Sequence, residues 1–223
     1  MGQTVTLTAS DGFRLGGYRA DPASKPKGAI VVIQEIFGVN SHIRNICDRL
    51  ANEGYVAVAP AIFDRIEPDF ESGYSPEEVA VARKFVAAPD WPAMLRDTQA
   101  AIDAVKDVGP VGIVGFCLGG SVAYAAATKL SGLSAAVGYY GGAVMRFADD
   151  KPKVPTQLHF GEKDHGIPLT DVETIRAKRP EVEVLVYPGA QHGFGCDERA
   201  SYDKASSDLA WQRSLAFFGT HLK

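Results

Sequence analysis

The stretch Val111-Gly112-Ile113-Val114-Gly115-Phe116-Cys117-Leu118-Gly119-Gly120 contains G-x-C-x-G between an apolar run and an alanine-rich segment of helical character. A nucleophile in the middle of such a pattern stands on a strained strand-to-helix turn. The flanking glycines are required because a Cβ two residues to either side would strike the adjoining strand or helix. A thiol at the amino end of a helix faces free N–H groups and the positive end of the helix dipole. Its thiolate is then more accessible than the free-cysteine pKa of about 8.5 allows. The N–H of Leu118 points to where an acyl oxyanion would form. Against this stands a plainer reading, in which Cys117 is a small hydrophobe at a glycine-rich turn.

A base and an orienting acid are needed to make such a thiol an acyl-transfer catalyst, and in this strand-to-helix context they follow the nucleophile in the order acid, then histidine. Four histidines lie downstream of Cys117. His159 falls inside an apolar run, His221 is close to the carboxyl end, and His165 precedes most candidate acids. His192 lies in Pro188-Gly189-Ala190-Gln191-His192-Gly193-Phe194, after an apolar run, in a loop that can turn a side chain inward. It is the preferred base, with an exposed loop histidine as the alternative. Asp164, in Gly161-Glu162-Lys163-Asp164-His165-Gly166, stands where the acid is expected; Glu162 competes with it, and Asp171 and Asp197 compete more weakly. In this arrangement Asp164 fixes the imidazole tautomer, His192 takes the thiol proton, and Cys117 attacks a carbonyl.

The elements that must position these groups follow from the periodicity. Residues 3–9 and 13–20, split by Asp11-Gly12, predict an antiparallel edge hairpin. Apolar runs at 29–34, 55–59, 111–116, 133–139, 155–160 and 182–187 predict strands covered on both faces. Helical stripes are expected at 41–53, 76–88, 94–108, 118–130, 169–179 and 201–218, the second opened by the capping sequence Ser75-Pro76-Glu77-Glu78. Residues 60–75, rich in Asp, Glu, Ser, Gly and Pro, read as an exposed excursion of the kind that shapes pockets. The alternation predicts an α/β chain with a mostly parallel sheet, and no linker divides residues 1–223, so one domain is expected.

Composition narrows the function. The 223 residues are 46% hydrophobic, enough for a substantial core, and 23 Lys plus Arg against 27 Asp plus Glu leave a net charge of −4, without the basic excess that nucleic-acid binding draws on. Three cysteines show no paired spacing, so a reducing, cytoplasmic setting is expected. No run reaches the roughly 18–20 apolar residues of a membrane span. Met1-Gly2-Gln3-Thr4-Val5-Thr6 matches a myristoylation template, but the alternation of Val5 and Leu7 with threonines reads better as a strand. No metal or cofactor is implied: the five histidines are dispersed, there is no H-E-x-x-H, and no phosphate-binding glycine loop occurs.

Taken together, Gln34-Glu35-Ile36-Phe37-Gly38-Val39-Asn40, Gly115-Phe116-Cys117-Leu118-Gly119-Gly120, Gly138-Tyr139-Tyr140-Gly141, Gly161-Glu162-Lys163-Asp164-His165 and His192-Gly193-Phe194 resemble the dienelactone hydrolase (carboxymethylenebutenolidase) family over nearly the whole chain. The resemblance implies an α/β-hydrolase fold, a cytoplasmic monomer, and hydrolysis of a small lactone or ester by Cys117, Asp164 and His192 through a thioester. It further implies that Glu35 meets the resting thiol of Cys117 and gates its reactivity, and that the N–H of Ile36 is a second oxyanion donor. Where family members acting on dienelactone carry two substrate-binding arginines, this chain has Val79 and Cys196. Arg83, one helical turn further on, and Arg199, three residues after Cys196, are the substitutes expected to contact substrate.

Two other function classes fit the same residues. One is a pseudoenzyme that binds a ligand in the same cleft, distinguished by failure to acylate with any activated ester. The other is a thiol redox sensor, with Cys47 or Cys196 as resolving partner to Cys117, distinguished by disulfide formation under mild peroxide.

Overall fold

The apolar runs form an eight-stranded mixed sheet in the computed structural model, which describes residues 2–223. Met1 of the myristoylation template lies outside the described residues. β1 (Gln3–Thr8) and β2 (Arg14–Ala20) pair antiparallel through the turn at Asp11-Gly12, and β2 pairs antiparallel with β4 (Val56–Pro60). From β4 onward the strands run parallel: β3 (Ala29–Ile33), β5 (Val111–Phe116), β6 (Leu133–Tyr139), β7 (Thr156–Gly161) and β8 (Glu183–Tyr187), in the spatial order β1-β2-β4-β3-β5-β6-β7-β8. Every residue of β3, β4, β5 and β7 is buried, as expected of strands covered on both faces.

The covering helices are α1 (Ser41–Asn52), α2 (Pro76–Phe85), α3 (Trp91–Val105), α4 (Leu118–Lys129), the short α5 (Val144–Phe147), α6 (Leu169–Lys178) and α7 (Lys204–His221). α1 and α7 meet where Arg49 stacks 4.0 Å over the ring of Trp211, while α3 and α4 pack together across the sheet. No helix among the described residues is long and apolar enough to cross a membrane.

Helix limits depart from the periodicity at several points: α2 ends at Phe85 rather than 88, α3 ends at Val105 rather than 108, and two helix starts shift for local reasons. α3 begins at Trp91 rather than Met94, because Asp90 caps it by accepting from the N–H of Ala93 at 3.0 Å and Pro92 falls in the first turn, where no N–H is needed. α7 begins at Lys204 rather than residue 201, capped by Asp203. α5 has only four residues, too few to show a period.

The excursion is less exposed than its composition suggests. Ile62 and Phe63 are buried, and Phe70 stacks on Phe85 of α2 at 4.0 Å between ring centroids. The N–H of Ser72 reaches the carbonyl of Phe37 at 3.0 Å, which draws the segment across the carboxyl end of β3.

That end of the sheet is where a site belongs. After β3 the chain moves outward to β4, then returns to place β5 on the other side of β3. The crevice at the carboxyl ends of β3 and β5 is therefore the point where strand order reverses, the usual ligand position in open α/β sheets. Glu35 follows β3 and Cys117 follows β5.

Candidate active site

Cys117 adopts φ 55° and ψ −114°, a left-handed conformation that only the surrounding packing can hold in a non-glycine residue. The turn closes because neighbouring backbones approach where no Cβ intervenes. A Cβ on Gly115 would sit 1.9 Å from the carbonyl oxygen of Gly119, and one on Gly119 would sit 2.3 Å from that of Ile33 in β3. Cys117 itself precedes the first turn of α4, so its half-buried thiol faces the amino end of that helix.

The Sγ of Cys117 lies 3.1 Å from Nε2 of His192, and Nδ1 of His192 lies 2.7 Å from Oδ2 of Asp164. Asp164 follows β7; its other oxygen accepts from the N–H of Gly166 at 2.8 Å, and the residue is 5% exposed. Glu162 turns away from the histidine and accepts from the N–H of Gly189 at 2.8 Å, Asp171 lies in the first turn of α6, and Asp197 lies beside His42. Of the candidate acids, only Asp164 bonds to His192.

Burial alone would favour the neutral imidazole of His192. The nearby Cys117 sulfur and the hydrogen bonds the ring makes with Asp164 and Cys117 outweigh it, so the ring is raised from 6.5 to about 10. By contrast, His159 is wholly buried, with its ring nitrogens beside Tyr187 and Gln157, and burial lowers it to about 3. It is a packed core group.

Glu35 is 1% exposed and does not bond to the thiol. One of its oxygens accepts from Nη1 of Arg199 at 2.9 Å and the other from the hydroxyl of Tyr74 at 3.0 Å. In place of the expected bond to Cys117, the Glu35 carboxylate is engaged by Arg199 and Tyr74, while the thiol bonds to His192. Arg199 is positioned by the turn at Gly193, φ 79°, where a Cβ would sit 2.6 Å from the guanidinium carbon. Tyr74 comes from the excursion and is steadied by the amide of Asn40 at 3.1 Å. Sequence reasoning missed Tyr74, since nothing in an irregular polar stretch marks one tyrosine as reaching a buried carboxylate.

A cleft of about 530 Å³ opens over Cys117 and His192. Ile36, Phe37, Val79 and Val86 supply apolar wall, and Arg83, Lys163 and Arg199 supply positive charge. Both arginines singled out in the sequence therefore reach the cleft, but Arg199 is committed to Glu35, whereas Arg83 makes no ion pair among the described residues. The N–H groups of Ile36 and Leu118 donate to no protein acceptor among the described residues.

Behind the thiol, Glu35, His42 and Cys196 bring a carboxylate oxygen, a ring nitrogen and a sulfur within 4.8 Å of one another, all buried. Burial raises the Cys196 thiol to about 12. Cys47, in α1, is also wholly buried and its thiol is pushed far up by desolvation.

A profile of the dienelactone hydrolase family matches residues 15–222. A Synechocystis sp. protein provisionally named a carboxymethylenebutenolidase is 38% identical over 240 residues, covering 99% of this chain and 97% of that protein. The carboxymethylenebutenolidase of Pseudomonas putida is 32% identical over 225 residues, covering 96% of this chain and 94% of the relative. A crystal structure of a provisional dienelactone hydrolase from Klebsiella pneumoniae superposes with a TM-score of 0.86 at 31% identity, covering 98% of this chain and 99% of that one.

Proposed function

The chain belongs to the dienelactone hydrolase family and is an ester or lactone hydrolase, and on that footing we propose that it cleaves a small, dienelactone-type lactone or ester through a thioester on Cys117. His192 holds the thiol proton as imidazolium, the form its raised value favours, and the sulfur forms its bond to the substrate carbonyl. The oxyanion that results is stabilised by the N–H groups of Leu118 and Ile36. Collapse breaks the carbon–oxygen bond, and the imidazolium returns the proton to the leaving alkoxide. In a lactone that alkoxide stays tethered to the acyl group. Water, deprotonated by His192, then attacks the thioester, yields the carboxylic acid and regenerates the thiol. Asp164 holds the ring so that Nε2 faces sulfur throughout.

The unbroken chain from sulfur to Nε2 at 3.1 Å and from Nδ1 to Asp164 at 2.7 Å carries this reading. The oxyanion geometry supports it through the first-turn position of Leu118 in α4 and the position of Ile36 after β3, both lining or bordering the cleft. The redox alternative is disfavoured by the burial of Cys47 and Cys196.

Incubation with an activated ester, quenching in acid and peptide mass analysis tests the proposal. The expected result is an acyl adduct on the peptide containing Cys117, and turnover of the ester and of an enol lactone that falls by at least three orders of magnitude in Cys117→Ala and in His192→Ala. Undiminished turnover in Cys117→Ala would overturn it.

A further inference from the structure

The buried cluster behind the nucleophile contains donors that the hydrolytic reading does not use. Cys196 and His42 hydrogen-bond to none of Cys117, His192 and Asp164, yet each is almost completely enclosed, at 0% and 2% exposure. The Nε2 of His42 makes no hydrogen bond, and neither does the hydroxyl of Tyr140, which is wholly buried and faces the same loop: a Cβ on Gly195 would sit 3.4 Å from it. Buried polar atoms of this kind are costly unless something satisfies them.

We propose that Glu35, His42 and Cys196 form a binding site for a thiophilic divalent cation, zinc in the first instance. The donor set is one sulfur, one imidazole nitrogen and one carboxylate oxygen, a combination that suits zinc and leaves a fourth tetrahedral position open. The three donor atoms lie within 4.8 Å of one another. Zinc–ligand distances of about 2.0–2.3 Å require them to draw in by roughly 1 Å, a side-chain adjustment. As the sulfur–metal bond forms, Cys196 releases its thiol proton to solvent, and no group changes oxidation state.

Charge and access agree with this assignment. Thiolate and Glu35 together neutralise the dication; Oε1 of Glu35 keeps its bond to Arg199, and Oε2, which accepts from Tyr74, has a further lone pair for the metal. Asp197 stands 4.0 Å from Nδ1 of His42 and is 70% exposed at its side chain, and Ser41 bonds the neighbouring Glu198 at the surface, so an acidic approach leads from solvent to the imidazole.

The test uses the full chain carrying Cys117→Ala, which removes the one partly exposed cysteine among the described residues and makes the result independent of the proposed hydrolysis. After chelator treatment, zinc titrated calorimetrically is expected to bind at one equivalent and to release one proton, read from the dependence of the heat on buffer ionisation. Cobalt is expected to give a sulfur-to-metal charge-transfer band in the near ultraviolet and intense visible bands of tetrahedral type. Adding Cys196→Ser is expected to abolish the charge-transfer band, and adding either Cys196→Ser or His42→Ala to weaken zinc binding at least tenfold. The cobalt spectrum of the Cys117→Ala protein stands without those further variants should either fold poorly. Absence of saturable binding, a cobalt spectrum without the sulfur band, or zinc affinity unchanged by Cys196→Ser would each overturn the proposal.

Discussion

Arg199 and Glu35 stand 164 positions apart in the chain and form a 2.9 Å ion pair at the wall of the cleft that Cys117 also lines. The guanidinium also lies 5.8 Å from the ring centres of Phe37 and Tyr74, so one cation closes the back of the cleft by charge and by stacking. Both carboxylate oxygens of Glu35 are thus engaged by Arg199 and Tyr74, while the Cys117 sulfur bonds to His192.

Removing Arg199 strands a carboxylate that is 1% exposed. Arg199→Ala is expected to lower the free energy of unfolding by roughly 3 kcal/mol. Adding Glu35→Gln is expected to recover part of that loss, with a coupling energy of about 1–3 kcal/mol in a urea-denaturation double-mutant cycle. Strict additivity would show that the two side chains do not sense each other.

Asp164→Asn keeps the shape of the acid but takes away the acceptor that fixes the histidine. We expect kcat/KM for an activated ester to fall by about 10³–10⁴ with KM little changed, and the circular dichroism spectrum to stay as it was.

The His192 ring is raised from 6.5 to about 10 in the folded protein. A group raised on folding contributes stability that is fully present below its unfolded value and is lost as pH climbs through its folded value. The stability advantage of the parent protein over His192→Gln is therefore expected to be constant below about pH 6.5 and to decline towards pH 10. Urea titrations at pH 6, 8 and 10 read this directly; an advantage that grows with pH would reverse the sign and reject the imidazolium assignment.

Arg83 lines the cleft without an ion-pair partner among the described residues. Arg83→Ala is expected to raise KM about tenfold, an effect of about 1.4 kcal/mol, for a lactone bearing a carboxylate. The KM of a neutral short-chain ester should stay within a factor of about two. Equal effects on both substrates would place Arg83 outside the recognition of charge.

Glycine positions separate the strained turn from ordinary helix. Gly115→Ala sets a Cβ 1.9 Å from a backbone oxygen and is expected to prevent folding or to cost more than about 4 kcal/mol. Gly219→Ala, in exposed α7 with no atom within 4 Å, should stabilise by about 0.5–1 kcal/mol. Thermal melts of the two variants check both signs.

Legibility from sequence followed the range of the interaction. The elbow at Cys117 is local, since its glycines and its thiol lie within five residues of one another, and the fold class follows from periodicities that need no tertiary information. Asp164 and His192 could be narrowed because each follows a strand, though Glu162 became separable from Asp164 only through its bond to Gly189. Tyr74 was invisible because its partner is 39 positions away and the intervening excursion has no period. The cluster of Glu35, His42 and Cys196 has no metal-type spacing because its members sit on a strand end, a helix and a distant loop. The partners of Glu35 are illegible for the same reason: only the folded chain brings Arg199 and Tyr74 to the carboxylate.

α2 buries just Ala82 and Phe85, yet with its flanking residues it contributes Val79, Arg83 and Val86 to the cleft. It is fastened to the body of the protein largely by the Phe63, Phe70 and Phe85 rings and contributes no strand to the sheet. Its cleft-facing side chains therefore lie outside the β3–β5 register that sets Cys117 at the end of β5. Selectivity and bond-breaking are therefore separable inheritances in this scaffold, and a library confined to Val79, Arg83 and Val86 would explore new substrates while leaving Tyr74 on Glu35 and the turn at Cys117 intact.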